Sequence, residues 1–580
     1  MTWLHHYITK IADEHHASRL FPEKPTIDFD PRGEGSPDGL KVIKTSKKTV
    51  VTLTIGPFCA KETILQDSTG GILTSRQLRV LTPHRCTFGY DVMVYVGRAL
   101  FVDGFNERQI TAALEKRNVP ISAREVSYLG KKFIAYLALA HQQSRRRLKQ
   151  AMALRGGYIL HLDGTCEGDS PNLFSGMDGI ARIILDNVKL PSEKTALLIP
   201  FLRRIKRHYG DPLALVHDMG HGLMAAIDVV FPGVQDFICH FHFLRDIGKD
   251  SFEKEYALIR NRLKKHRIRS VLRQRLKALN KLTGEDDRSV RYLSSAIDRG
   301  TMDRALLPDI SLPGACALIH WCLDTGGANG YGFPFDRPHL VFYQRLKVLH
   351  DLIDRQIIFN KALSRLWRPL ARIVEDQQLS SAATRMQDKA AVFERLREAL
   401  SIAPPEGQKG LNDDGDGDIK SIEEKVKQFR KTIPQSEDYR KMRVQIDKYW
   451  DKLFADPIMV DTAQGPVEIQ PQRTNNLMER FFRDIKRCSR KRCGTISLNR
   501  TLRTILADTP LVKNLDNPQY MEIVLDGCRT LEERFAKIDA RLVTEKLKQE
   551  ERNQQRVSPE MKKIIRRPDL PDRLVALLAT

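Results

Sequence analysis

The sequence predicts an α/β protein whose mixed sheet is split by a large all-α insertion and preceded by a helix-turn-helix and a small β region. Three observations carry that prediction. Between residues 151 and 245, short apolar runs of strand length alternate with amphipathic stretches, the order expected of an α/β domain. From Phe243 to about Gln470 the pattern is helical, with Arg/Lys stripes (Arg260 to Arg275) and an interior containing Trp321, Trp367 and Trp450. Between residues 90 and 150, helices with capping signals follow one another at short spacing.

Composition narrows the function classes. The chain has 580 residues, enough for three or four domains at ~150 residues each. Lys+Arg 95 against Asp+Glu 72 leaves a net charge of +23, a self-repulsion that points to a polyanionic partner, nucleic acid ahead of an acidic membrane surface. A content of 41% hydrophobic and 29% charged residues excludes a disordered chain. No stretch approaches the ~20 apolar residues that span a bilayer. The first twenty residues hold His5, His6, His15 and His16 but no apolar core, so no secretory signal is expected. Nine cysteines, an odd number without a CxxC pair, argue for a reducing compartment and against a disulfide framework or zinc finger.

In chain order, residues 25–47 are rich in Pro, Gly, Asp and Lys and read as a loose lead-in. Lys48–Ile55 alternates like a strand and stops at Gly56-Pro57. A helix is expected over Tyr90–Val102. Asn106 with Gln109 and Ser122 with Glu125 form capping boxes that open a second and a third helix. Two short helices joined by a tight turn, the second carrying Arg124, Ser127, Tyr128, Lys131 and Lys132 outward, match a DNA-binding helix-turn-helix. The run Arg145-Arg146-Arg147 adds to that charge. Further on, Tyr158–Asp163, Ile180–Leu190, Pro212–Asp218 and Gln235–Phe241 read as strands, and Ser192–Tyr209 and His221–Val230 as helices. The expected segments are 1–88 (lead-in and β region), 89–150 (helix-turn-helix), 151–245 (first part of the core), 246–470 (insertion), 471–510 (final core helices) and 511–580 (basic helical tail). Gly326–Pro338 and Pro404–Asp418 break the insertion. Within the second break, Asn412–Glu423 has EF-hand-like spacing, but Pro404-Pro405 rules out the entering helix, so an acidic linker is expected there rather than a calcium site.

Three acids stand out. Asp163 and Asp218 each sit where an apolar run stops, and a turn or helix cap accounts for either one alone. Two such carboxylates at one sheet edge persist side by side only if a cation bridges them. Glu479 is the expected third, on a helix whose other face carries Leu477, Phe481 and Ile485. Asn476, Glu479, Arg483, Lys486, Arg487 and Arg490 follow i, i+3/i+4 spacing and form one polar stripe, suited to a phosphate backbone running away from a metal site.

These residues resemble those of the DDE transposases, specifically prokaryotic insertion-sequence transposases akin to the Mutator-like and hAT groups. The similar segments are HLDGT around Asp163, VHDMGHGLMAAIDVVFPGVQDFICHFHFLRDI around Asp218 and NNLMERFFRDIKRCSRKRCGT around Glu479. Cys239-x-x-His242 after the second Asp and Asn476-x-x-Glu479 belong to the same pattern. The acids lie 55 and 261 residues apart, which places a large insertion before the last one. The resemblance implies an RNase H-like core with the first Asp on the first strand, the second just after the fourth strand and the Glu on a late helix. It also implies that Asp163, Asp218 and Glu479 hold two Mg²⁺ or Mn²⁺ ions, with Asn476, Cys239 and His242 in support. The implied partners are double-stranded DNA, as element terminal repeats and target, and further copies of the chain in a dimer or higher oligomer. The implied location is the nucleoid of a prokaryotic cytoplasm, with no membrane partner. The sequence departs from the pattern at the N-terminus, where Cys59 and Cys86 are too few for a zinc ribbon. Two alternatives stay open: a non-catalytic DNA-binding regulator on the same scaffold, and a structure-specific nuclease or resolvase.

Overall fold

The computed structural model describes residues 24–34, 40–283, 287–301, 303, 305, 307–325, 331–356, 361–402, 419–554 and 559–579. It is a mixed α/β structure in two compact units. The first comprises residues up to Asp236, Ile458–Ile469 and Asn475 onward; the second comprises Phe237–Pro457 and Gln470–Thr474. The expected boundaries at 88, 150 and 510 therefore fall inside a single unit.

The first unit opens with a small sheet of strands β1 (Thr26–Phe29), β2 (Lys41–Thr52), β3 (Gly56–Gln66) and β4 (Ile72–Leu73), β3 pairing with the other three. This corrects the expected lead-in, since pairing of β2 with β3 starts at Lys41; the strand stops before Gly56-Pro57 as expected, and that pair opens β3. Gly56 has φ +78, a conformation that suits the turn between the two strands and that L-residues avoid. Ile27, Phe29, Val50, Ile55, Phe58 and Ala60 form this sheet's own core together with Leu78 of helix α1 (Arg76–Leu81).

Helices α2 (Tyr90–Phe101), α3 (Glu107–Glu115) and α4 (Ala123–Leu154) follow. Both capping boxes form in full, at Asn106/Gln109 and Ser122/Glu125. The third helix is not short. It runs 32 residues because no proline interrupts it, and Phe133, Ile134, Leu137, Leu148 and Met152 carry it through the core of the unit.

The central sheet has five strands: β5 (Ile159–Thr165), β6 (Asn172–Asp178), β7 (Ile183–Leu190), β8 (Ala214–His217) and β9 (Gln235–Ile238). Their order is β7-β6-β5-β8-β9. β6 runs antiparallel to both β5 and β7, and β8 lies parallel to β5. Helix α5 (Thr195–Tyr209) packs on one face, where Ile205 meets Leu160 and Leu162 around Gly176. Helix α6 (His221–Val230) follows β8. The chain later returns through a hairpin, β10 (Ile458–Thr462) and β11 (Gly465–Ile469), into helix α7 (Asn476–Cys493), which meets β5.

The second unit is helical. His240–Lys265 packs along Gln377–Leu400, with Phe252 against Phe393 at 5.2 Å. Phe333 stacks on Tyr256 at 4.5 Å and Phe335 on Phe241 at 4.9 Å, and of these two aromatics of the Gly/Pro break Phe335 is buried and Phe333 half-buried. Gly326–Gly330 and Asn412–Asp418 lie outside the described residues; Ile419–Glu423 belongs to a helix.

The crossing of α2 and α4 depends on Gly97. A Cβ there would stand 2.1 Å from Cγ of Phe133, which is fully buried and held edge-on to Phe535. In an ordinary helix Gly→Ala stabilises by about 1 kcal/mol. Here Gly97→Ala should instead lower stability by ~1–3 kcal/mol through overpacking. A urea midpoint that rises on this substitution contradicts the crossing.

Candidate active site

Alternation along β5 sends Leu160 and Leu162 toward α5 and His161 and Asp163 to the opposite face. Asp163 lies inside the strand, two residues before its end, and is 8% exposed. β8 pairs in parallel with β5, Leu162 facing His217. The next step of that register sets Asp218 beside Asp163, on neighbouring strands ~4.8 Å apart. Asp218 follows β8 directly and accepts a 3.3 Å hydrogen bond from the Gly220 N–H.

The third acid comes in through Asn475, the fully buried N-cap of α7. Its Nδ2 donates to the Leu162 carbonyl at 2.8 Å, and its Oδ1 lies 3.0 Å from His161 Nδ1. This clamp fixes the first turn of α7 over β5. Glu479 is the acidic residue of that turn, where the helix dipole favours a negative charge.

The electrostatics record the convergence. Burial pushes the Asp163 carboxyl well above its usual range, and Asp218 pushes it further. The Gly164 N–H, which donates to it at 2.7 Å, works the other way, and Glu479 and Glu193 add to the rise. Glu193, in the loop before α5, is raised first by burial; a hydrogen bond from Asn172 opposes this and Asp218 reinforces it. His161 offers no counter-charge, because burial lowers its pKa to about 4 and holds it neutral.

Five carboxylates are buried among the described residues: Asp163, Asp178, Asp186, Glu255 and Asp376. Four have a basic partner: Arg155 at 2.8 Å from Asp178, Arg204 at 2.6 Å from Asp186, Lys389 at 2.9 Å from Glu255 and Arg262 at 2.8 Å from Asp376. Asp163 has none among the described residues, and neither do its acidic neighbours. An all-carboxylate donor set lacking internal neutralisation suits a hard divalent cation such as Mg²⁺ or Mn²⁺. Among the described residues, no three His, Cys, Asp or Glu side chains are gathered tightly enough to enclose one ion as they stand.

The basic residues divide. On α7, Arg483, Arg487 and Arg490 are exposed, with no carboxylate partner among the described residues, and Lys486 is half-buried and feels Glu167. Asn476 is not on this stripe, since it is buried in the first turn of the helix. On α4, Arg124, Ser127 and Lys131 are exposed, while Lys132 reaches Cys86 Sγ at 2.7 Å. Two of the three arginines at 145–147 are used internally: Arg145 lies 3.6 Å from Asp186 and Arg147 2.6 Å from Asp526. Cys239 and His242 are not on a strand. Cys239 caps the helix His240–Lys265, and His242 lies in its first turn, in the second unit. All nine cysteines are free.

The residues missed by sequence reasoning are Asn475, His161, Glu193 and Asn172. The Asn475-Asn476 pair carried a signal, since Asn is a preferred N-cap, but the helical period singled out the wrong member. Compared with known protein families and with curated proteins, the chain matches none.

Because its folded pKa lies above the unfolded value of ~3.9, Asp163 favours folding at low pH and loses that contribution as pH rises through the folded pKa. Asp163→Asn should therefore raise the melting temperature of the metal-free protein at pH 7.5, with a gain that vanishes toward pH 4. A melting temperature lowered at pH 7.5 contradicts the unpaired charge.

Proposed function

We propose that the chain is a DDE-type transposase, which binds element ends and performs metal-dependent phosphodiester cleavage and strand transfer on an RNase H-like core. The observation that carries the reading is the buried Asp163, which has no basic partner among the described residues and feels Asp218 and Glu479. Three features of the fold support it: the strand order β7-β6-β5-β8-β9, an Asp on the central β5 with a second just after β8, and a Glu on a late helix docked onto β5. The no-membrane expectation has a simple counterpart: no helix among the described residues is long and apolar enough to cross a bilayer.

In this reading Asp163, Asp218 and Glu479 hold the cations. Bound there, a Mg²⁺ or Mn²⁺ pair lowers the pKa of an attacking water or DNA 3′-hydroxyl and neutralises charge growing on the leaving oxygen. Asn475 keeps Glu479 in range by tying α7 to β5. Arg483, Arg487 and Arg490, exposed along the same helix, neutralise the phosphates of a duplex led away from the acids. Arg124, Ser127 and Lys131 on the exposed start of α4 offer a second basic surface for the element ends. No covalent enzyme intermediate is required, so one site serves both cutting with water and joining with a 3′-hydroxyl. Two ends must be held together, which calls for at least two copies of the chain.

The test is incubation with labelled duplex carrying inverted repeats from either side of the coding sequence, in Mn²⁺ or Mg²⁺. Asp163→Asn, Asp218→Asn and Glu479→Gln should each reduce strand cleavage by roughly 10²–10³-fold or more, the scale of losing one principal electrostatic group. DNA affinity should hardly change. Cleavage undiminished in any one of the three removes that residue from the site.

A further inference from the structure

Glu193 stands among the acids on account of two glycines, Gly222 and Gly164. The backbone carbonyl of Glu193 lies 2.2 Å from where a Cβ on Gly222 would be, so the loop before α5 rests directly on the first turn of α6 only because residue 222 has no side chain. Gly164 clears space for the carboxylate itself, where a Cβ would meet Glu193 Oε1 at 2.9 Å and Asn172 Oδ1 at 2.5 Å. On the other side Gly220 lies between Asp218 Oδ1 and Glu193 Oε2, 3.4 and 3.8 Å from where its Cβ would be, so both carboxylates border the same small residue.

Asn172 supplies a second, independent observation. It is 6% exposed and its Nδ2 donates to Glu193 Oε1, which orients the carboxylate. Its own Oδ1 is buried with no hydrogen-bond partner among the described residues, an uncompensated acceptor beside the carboxylate oxygens. No lysine, arginine or histidine forms an ion pair with Glu193 among the described residues. A carboxylate steered toward two like charges, next to an orphaned amide oxygen, is an oxygen-donor set that lacks its positive charge.

We propose that Glu193 is a fourth carboxylate of the divalent-cation site, acting beside Asp163 and Asp218 and oriented by Asn172. The proposal rests on the metal-dependent reading above. It differs from that reading in taking an acid from the loop between β7 and α5, outside the three segments that carry the transposase resemblance.

The experiment is a Mn²⁺ binding isotherm on the full chain without DNA, followed by calorimetry or by the electron paramagnetic resonance of free Mn²⁺. Glu193→Gln should weaken Mn²⁺ binding by roughly 10- to 100-fold, the range seen when groups supporting a metal site are removed. The melting temperature of the metal-free variant should hold or rise, since one of four like charges is gone. An isotherm identical to that of the unmodified chain overturns the proposal. A metal-free melting temperature that falls along with Mn²⁺ affinity also overturns it, because Glu193 would then be a structural residue. Asp218→Asn, measured in parallel, separates the two readings: if it too leaves the isotherm unchanged, the cation site itself is refuted, and if it alone weakens binding, only the role of Glu193 is.

Discussion

The proposed function depends on a charge imbalance at the end of one sheet. A carboxylate taken out of water without a partner costs several kcal/mol, which folded chains avoid by pairing or by protonation. This chain follows that rule at Asp178, Asp186, Glu255 and Asp376, each with a basic group within 3 Å. Asp163 has no basic partner among the described residues, and burial together with Asp218, Glu479 and Glu193 pushes its carboxyl well above the usual range. On the proposed reading, the partner that this cluster lacks is a cation from outside the chain.

Several contacts hold the elements that form this cluster in place. The β5–β8 register brings two aspartates abreast, and that register is fixed by apolar residues such as Leu160, Leu162 and Leu215, all fully buried. Asn475 gives both of its polar atoms to β5, so the helix bearing Glu479 cannot drift without breaking two buried hydrogen bonds. Gly222 lets the backbone of the Glu193 loop approach where a Cβ would block it, and Gly164 leaves room for the side chains of Asn172 and Glu193. The unfavourable cluster is therefore held by packing in a unit whose core extends from Val51 to Val543.

Much of this was legible in the sequence wherever a local rule governs. The capping boxes at Asn106 and Ser122 placed two helix starts to the residue, because the hydrogen bonds that define them lie within four residues. The strand carrying Asp163 and the strand just before Asp218 were visible as apolar runs. β6 was not: NLFSGMD mixes Gly, Ser and Asp into a strand buried along its whole length, so its pattern neither alternates nor stays apolar. β2 begins with exposed residues around its lysines, and only pairing with β3 makes it a strand. The run Gln235–Phe241 is equally apolar as strand or helix, and the chain switches at Cys239, which turned an expected strand pair into a helix start. The length of α4 and the internal use of Arg145 and Arg147 were hidden for a related reason: charge on a helix does not reveal which distant acid it will meet. Glu193 was invisible because its neighbours in space are glycines and acids of other segments.

The most direct measurement is anomalous diffraction from crystals of the full chain grown with Mn²⁺. The account predicts a manganese peak within coordination distance of Asp163 and Asp218 on the β5–β8 edge, with Glu479 drawn toward it. A map with no peak there, and a lysine or arginine closed onto the Asp163 carboxylate instead, would contradict it.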